Sequence, residues 1–298
     1  MINYNELFEK SKELANKSGL TQLELYQRFM FERILERISV SKYNSNFILK
    51  GGLLLSAMLG IESRSTRDMD ISIKGINVSK EKMLNVLNEI LSIDVNDKVK
   101  FKVVDISDIR EDDEYGGNKY HLVGKLENLK VALEIDISTG DEITPRELNY
   151  EYHSLFENKK IYVDSYNIET ILAEKIETIL RRGKYNARMK DYYDIYFFLN
   201  KLNAEINIDI LRQALENTIM QRDSFEYMKD YNIEFRILDE PLETVGLGVA
   251  FDKNDDRGIE KQLTEILKQM RNDGTEKKII SRYIPDADKY LEVDSYGK

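Results

Sequence analysis

Residues Phe47 to Ile73 read FILKGGLLLSAMLGIESRSTRDMDISI. Phe47 to Leu49 form a short apolar strand, Gly51 and Gly52 a turn, the residues to about Leu59 an apolar helix, and the residues from about Ser65 a second strand. Alternate side chains of a strand share a face. Arg64, Thr66, Asp68, Asp70 and Ser72 therefore point one way, and Arg67, Met69, Ile71 and Ile73 the other. Two carboxylates on one strand face can share divalent cations, because Mg2+ takes few protein ligands and completes its octahedron with water and phosphate oxygens. Glycines ahead of a helix let backbone N–H groups approach an anion at the positive helix end. Metal on one side and a phosphate seat on the other make a nucleotide site. Asp-x-Asp alone also occurs at solvated strand ends and loop cation sites; the double glycine and the strand context separate this case from those.

Outside this stretch the chain alternates elements in a mixed pattern. Tyr4 to Asn16 and Thr21 to Ser39 read as amphipathic helices, the second with Leu23, Leu25, Phe29, Ile34, Leu35 and Ile38 as its apolar stripe and Thr21 with Glu24 as a capping box. Val78 to Leu91 is a helix. Lys100 to Ile106, Tyr120 to Leu126 and Leu129 to Ile137 are strands, with a turn over Arg110 to Asn118. In the last strand Lys130, Ala132, Glu134 and Asp136 share one face. Asp136 has an apolar-carboxylate-apolar setting like that of Asp70, and a third carboxylate suits two-metal phosphoryl transfer; Glu134 is the alternate, and an exposed acidic face is the competing account. Ser138 to Ser154 reads as a polar loop with little chemistry of its own.

Near Asp164 to Asn167 the strand-like KKIYVDSY gives way to helices. Ile168 to Arg182 places Ile168, Ile171, Leu172, Ile176 and Ile179 on one side, with Lys175 inside the stripe. Such a lysine either snorkels to the surface or meets a phosphate or carboxylate. Ala187 to Asn200 puts Asp191, Asp194, Ile195 and Phe198 on one face, and buried acids need partners; an N-cap role for Asp191 is the alternative. Lys175, Arg181, Arg182, Lys184, Arg188 and Lys190 form a basic patch that can attract polyanions. Further helices are expected over Ile208 to Met220 and Ile259 to Met270, with a Tyr-rich stretch and a strand-like Thr244 to Phe251 between them. Gly246 and Gly248 there mark a strand irregularity.

Gly51-Gly52 with Arg64-x-Thr66-x-Asp68-x-Asp70 resembles the nucleotidyltransferase superfamily of the polymerase-beta type. It is most similar to the AbiEii/AbiGii toxins of bacterial abortive-infection (phage-resistance) systems. The run EKIETILRRGKYNARMKDYYDIYFF resembles that family's second signature, which Lys175, Arg188, Lys190, Asp191 and Asp194 match in place. The resemblance implies Mg2+ or Mn2+ on Asp68, Asp70 and Asp136, a triphosphate gripped by Lys175, and Asp191 completing the catalytic set. Gly51, Gly52, Thr66, Arg182 and Lys190 form the expected nucleotide-binding set, with Arg64, Arg188 and Asp194 as further motif positions. It also implies a growth-halting toxin that uses a nucleoside triphosphate, GTP favoured, with tRNA as the candidate acceptor and an antitoxin encoded nearby. Many superfamily members have Gly-Ser where this chain has Gly51-Gly52, so backbone amides must meet the phosphates.

The expected architecture is α+β: a mixed-sheet nucleotidyltransferase domain over residues 1–165, then a mainly helical domain over 166–298 that completes the cleft. Its 298 residues, 42% apolar and 33% charged, are those of a globular protein. The absence of cysteine and of a basic-then-apolar leader points to a cytoplasmic protein without a membrane segment. The net charge of −10 argues against bulk coating of nucleic acid. His121 and His153 are too few and too far apart for a histidine metal site. Two rival functions remain: a small-molecule or protein nucleotidyltransferase, and a nucleotide-binding regulator that has lost catalysis.

Overall fold

The computed structural model describes residues 2–60, 66–75, 79–109, 117–183, 186–201, 206–224 and 259–281. Arg64, Lys184, the Tyr-rich stretch and Thr244 to Phe251 lie outside them. The chain divides into two compact units, residues 1–232 and 233–298.

The first unit is built on a seven-stranded mixed sheet. Its strands are β1 (Phe47–Lys50), β2 (Asp68–Ile73), β3 (Val99–Asp108), β4 (Gly117–Leu126), β5 (Leu129–Thr139), β6 (Leu148–His153) and β7 (Lys160–Ser165). They lie in the order β3-β4-β5-β2-β1-β7-β6. The β2–β5 and β1–β7 pairs are parallel and the rest antiparallel. Helices α1 (Tyr4–Ser18), α2 (Gln22–Val40), α3 (Gly51–Leu59), α4 (Lys80–Leu91), α5 (Ile168–Arg182), α6 (Met189–Lys201) and α7 (Ile208–Gln221) complete the unit. The expected division at residue 165 therefore falls inside this unit, between the last strand and α5. In the second unit the described residues form α8 (Ile259–Asn272) and α9 (Thr275–Ile280), which pack on each other.

Local signals explain most boundaries. Thr21 and Glu24 form the capping box expected of α2, and Asn167 caps α5 by accepting from the Thr170 N–H at 2.8 Å. The second strand starts at Asp68 rather than near Ser65. Gly117 and Asn118 belong to β4 rather than to a turn, and the supposed loop over 138–154 contains β6.

Helix α2 lies across the sheet against β5 and β7. Leu25, Phe29, Met30, Phe31, Ile34, Leu35 and Ile38 are buried, whereas Leu23 is 58% exposed and leaves the expected stripe. Its buried charges are matched. Arg37 clamps Asp97 through two bonds of 2.6 and 2.8 Å, and Glu32 accepts from Ser154 Oγ at 2.6 Å and the Leu155 N–H at 2.8 Å. In β2, Met69, Ile71 and Ile73 enter the core, each contributing about 2 kcal/mol by burial. That one-sided burial turns Asp68 and Asp70 to the opposite face. No helix among the described residues is long and apolar enough to cross a membrane.

Candidate active site

The polar face of β2, the start of α3, and α5 and α6 enclose a cavity of about 660 Å3 within the first unit. Parallel register sets Asp70 beside Asp136 and Asp68 beside Glu134. Asp68, Asp70 and Asp136 line the cavity. Glu134 does not: it is held by Lys119 at 3.0 Å and His121 at 3.5 Å. Thr66 Oγ1 donates to Asp68 Oδ1 at 2.8 Å, and the Gly52 N–H donates to Asp70 Oδ2 at 3.2 Å. Gly51, at φ +64°, lies so close to this carboxylate that a Cβ on it would sit 1.9 Å from Asp70 Oδ2. Glycine is required there both by the left-handed backbone and by that approach.

Burial pushes the Asp70 carboxyl up to about 6, and repulsion from Asp68 and then Asp136 adds to it, while Lys50 and the Gly52 N–H act the other way. Burial also raises Asp136, against the pull of Lys119. Like-charged carboxylates are thus crowded on one wall of the cavity. Among the described residues no group of three or more His, Cys, Asp or Glu side chains is arranged to hold a metal ion. A hard ion that keeps water and substrate phosphate in its shell does not need such a group. Asp68 and Asp70, with Asp136 adjoining, suit such an ion; Asp136 Oδ1 is buried without a hydrogen bond, its nearest cation being Lys119 Nζ at 3.1 Å.

The opposite wall is basic. Across the described lining residues eight lysines or arginines stand against five acids, and most of the cations come from α5, α6 and the segment between them. Lys175 Nζ lies 3.0 Å from Asp191 Oδ1 and 2.6 Å from Asp194 Oδ2, and Arg188 Nε lies 3.1 Å from Asp191 Oδ2. Asp191 is thus a partner of cations in the first turn of α6, not its N-cap. Glu177, fully buried, takes Arg181 at 2.9 Å and Arg222 from the end of α7. Charge is paired along this wall in a way that fixes α5, α6 and α7 together.

Residues 33–293 match the family described as nucleotidyl transferase AbiEii toxin, type IV TA system. The chain belongs to the AbiEii nucleotidyltransferase toxin family. No curated protein matches it. Similar solved structures include JHP933 from Helicobacter pylori, 18% identical with a TM-score of 0.43 over 71% of this chain and 80% of that one. Another is the antibiotic-resistance factor ANT(2'')-Ia, 14% identical with a TM-score of 0.38 over 70% and 100%. Membership in a type IV toxin–antitoxin family implies a cognate antitoxin.

For this AbiEii-family chain, the cavity gathers the residues expected from sequence: Gly51, Gly52, Thr66, Asp68, Asp70, Asp136, Lys175, Arg182, Arg188, Lys190 and Asp191 all line it. Asp194 stands behind, fully buried against Lys175. Sequence reading passed over Lys50, Asp141, Tyr166 and Glu174. Lys50 Nζ lies 2.6 Å from Asp141 Oδ2 and over the Tyr166 ring. Desolvation opposes its charge, yet Glu174, Asp141 and Asp70 hold its pKa above the usual lysine value. Asp141 is desolvated too, but Lys50 together with Ser72 and Ser138 brings it down to about 2. The signal available was Lys50 itself, an ion closing the otherwise apolar β1 just before the glycine turn, which needed a partner.

Proposed function

We propose that the protein transfers a nucleoside monophosphate from a nucleoside triphosphate, GTP favoured, to an acceptor hydroxyl, with tRNA as the acceptor. The observation that carries this reading is the single cavity with Asp68, Asp70 and Asp136 on one wall and Lys175, Arg182, Arg188 and Lys190 on the other. Asp68 and Asp70 would hold Mg2+ or Mn2+, with Asp136 as a further ligand. Such an ion polarises the α-phosphate and offsets charge on the departing oxygens. The acceptor oxygen bonds to the α-phosphorus as the bond between that phosphorus and the bridging oxygen breaks, and pyrophosphate leaves. We assign the hydroxyl proton to Asp136, the carboxylate that adjoins Asp70 on the cavity wall.

Lys175 would offset negative charge on the leaving phosphates, with Asp191 and Asp194 fixing its position. Arg182 and Lys190, both lining the cavity, would meet the remaining phosphate charge, and the α3 start would meet it through backbone N–H groups. GTP over other nucleotides, and tRNA over other acceptors, rest on the family likeness.

The test is incubation of the protein with total tRNA, Mg2+ and each α-labelled nucleoside triphosphate in turn, followed by gel separation of the RNA. Label on tRNA that disappears in Asp70→Ala is expected. Label on protein or a small molecule instead would overturn the acceptor, and no label anywhere would overturn the enzyme reading.

A further inference from the structure

The face of the sheet that carries the cavity carboxylates continues outward over β5, β4 and β3, and its far end is basic. Antiparallel register sets Lys100 opposite Lys125 and Lys125 opposite Lys130. Directly opposed residues of neighbouring strands share a face, with strands about 4.8 Å apart. Three lysines from three strands therefore stand in one row. Lys102 joins them two residues along β3, and all four are exposed. Among the described residues none of the four forms an ion pair or a side-chain hydrogen bond.

Like charges placed directly opposite each other destabilise a sheet. In a chain of net charge −10, acids to pair them are plentiful, yet none among the described residues pairs with the row. Lysines on an edge strand discourage edge-to-edge pairing, which accounts for Lys100 and Lys102 on β3. It does not account for Lys125 and Lys130, since β4 and β5 are interior strands.

Parity ties the row to the cavity. Lys130 and Asp136 lie on the same side of β5, six positions and hence about 20 Å apart. Between them Glu134 meets Lys119, which it shares with Asp136, and lies 3.5 Å from His121 Nδ1. Among the described residues of β3, Asp105 also faces this side, opposite His121. We propose that the row of Lys100, Lys125 and Lys130 binds the phosphate backbone of the acceptor RNA while its hydroxyl end occupies the cavity. The inference rests on the RNA-acceptor reading above. RNA is favoured over an acidic polypeptide because the row shares its face with the reacting carboxylates, at a distance that a polymer engaged in the cavity would span. Lysine point charges suit phosphates that are gripped without base readout.

The experiment measures binding of fluorescently labelled total tRNA over a series of salt concentrations, together with steady-state transfer. It compares the wild type, Lys100→Glu/Lys125→Glu/Lys130→Glu, and the charge-matched control Lys12→Glu/Lys17→Glu/Lys82→Glu, whose positions are exposed on α1 and α4. The row variant should bind RNA at least ~10-fold more weakly at 0.1 M salt, with the slope of log K against log salt reduced by about 2–3. Its KM for RNA should rise while its affinity for the nucleotide does not change. The control should bind like the wild type. Equal losses in both variants would overturn the inference, as the effect would be bulk charge. Wild-type labelling of tRNA with unaltered binding by the row variant would overturn the inference and leave the acceptor standing. Failure of the wild type to bind or label RNA would overturn both. Loss of poly-glutamate binding by the row variant, with RNA binding intact, would give the surface to an acidic polypeptide.

Discussion

Replacing Gly51 by alanine would press a methyl group into Asp70. The added Cβ would lie 1.9 Å from Oδ2, 2.4 Å from Cγ and 2.7 Å from Cβ of that residue. Backbone cannot yield easily, because β2 is held between β1 and β5 on both sides. The left-handed φ of +64° adds a steric cost of about 1–2 kcal/mol for a residue with a Cβ. Overpacking typically adds about 1–3 kcal/mol. Together the loss is about 2–5 kcal/mol, or on the order of 10 °C in melting temperature for a unit of this size. Relief would come through rotation of the Asp70 side chain, which breaks its bond from the Gly52 N–H and turns the carboxylate out of the cavity. Nucleotide transfer should then fall at least ~100-fold. Circular dichroism melts and labelled-nucleotide transfer would be measured on Gly51→Ala, Asp70→Ala and the double variant. Because Asp70→Ala removes two of the three clashing atoms, the stability loss from Gly51→Ala should shrink in that background by at least about 1 kcal/mol. A Gly51→Ala protein that melts within a degree of the wild type and transfers normally would refute the argument.

Asp70 holds its proton more tightly in the folded chain than in the unfolded one, so metal-free stability should fall as pH rises from about 4 through about 6. The loss is at most about 3 kcal/mol, less after allowance for water in the cavity. Asp70→Asn should therefore raise the metal-free melting temperature at pH 7.5, and excess Mg2+ should narrow the gap; a lower melting temperature for the variant would contradict this. Lys175→Met strips a cation from the buried Asp191 and Asp194 and should cost about 3 kcal/mol in urea unfolding as well as transfer activity; loss of activity at full stability would place the lysine's role outside that pair. Glu177→Ala, which removes the shared partner of Arg181 and Arg222, should cost about 2–4 kcal/mol and raise the KM for the nucleotide; hydrogen exchange should report loosened protection where α5 meets α7, and unchanged protection would refute it. Lys119→Met removes the cation beside Asp136 and should tighten Mn2+ binding several-fold by electron paramagnetic resonance titration; weaker or equal binding would count against Lys119 as a competitor of the ion.

The strand alternation that put Asp68 and Asp70 on one face was legible because burial of Met69, Ile71 and Ile73 forces the period of two. Helix α5 was legible in its bounds, Ile168 to Arg182, although of its expected apolar stripe Ile171 and Leu172 are buried and Ile168, Ile176 and Ile179 are half-buried. Residues 138–154 were not. They carry no strong periodicity, and their importance comes from Asp141, which meets Lys50 from 91 positions away. Arg222 was likewise silent in sequence, since its bond to Glu177 spans 45 positions.

Sequence by itself determined on which faces of β2 and β5 the cavity carboxylates stand, because hydrophobic burial imposes a local period that can be read residue by residue. Tertiary structure alone decided the distances and the pairings. It set Asp136 rather than Glu134 on the cavity wall, turned the Gly52 N–H toward Asp70, and lined up Lys100, Lys125 and Lys130 across three strands. Those outcomes depend on strand order, register and contacts between residues far apart in the chain. A charged side chain is settled by whichever opposite charge the fold brings to it, and no local pattern records that partner.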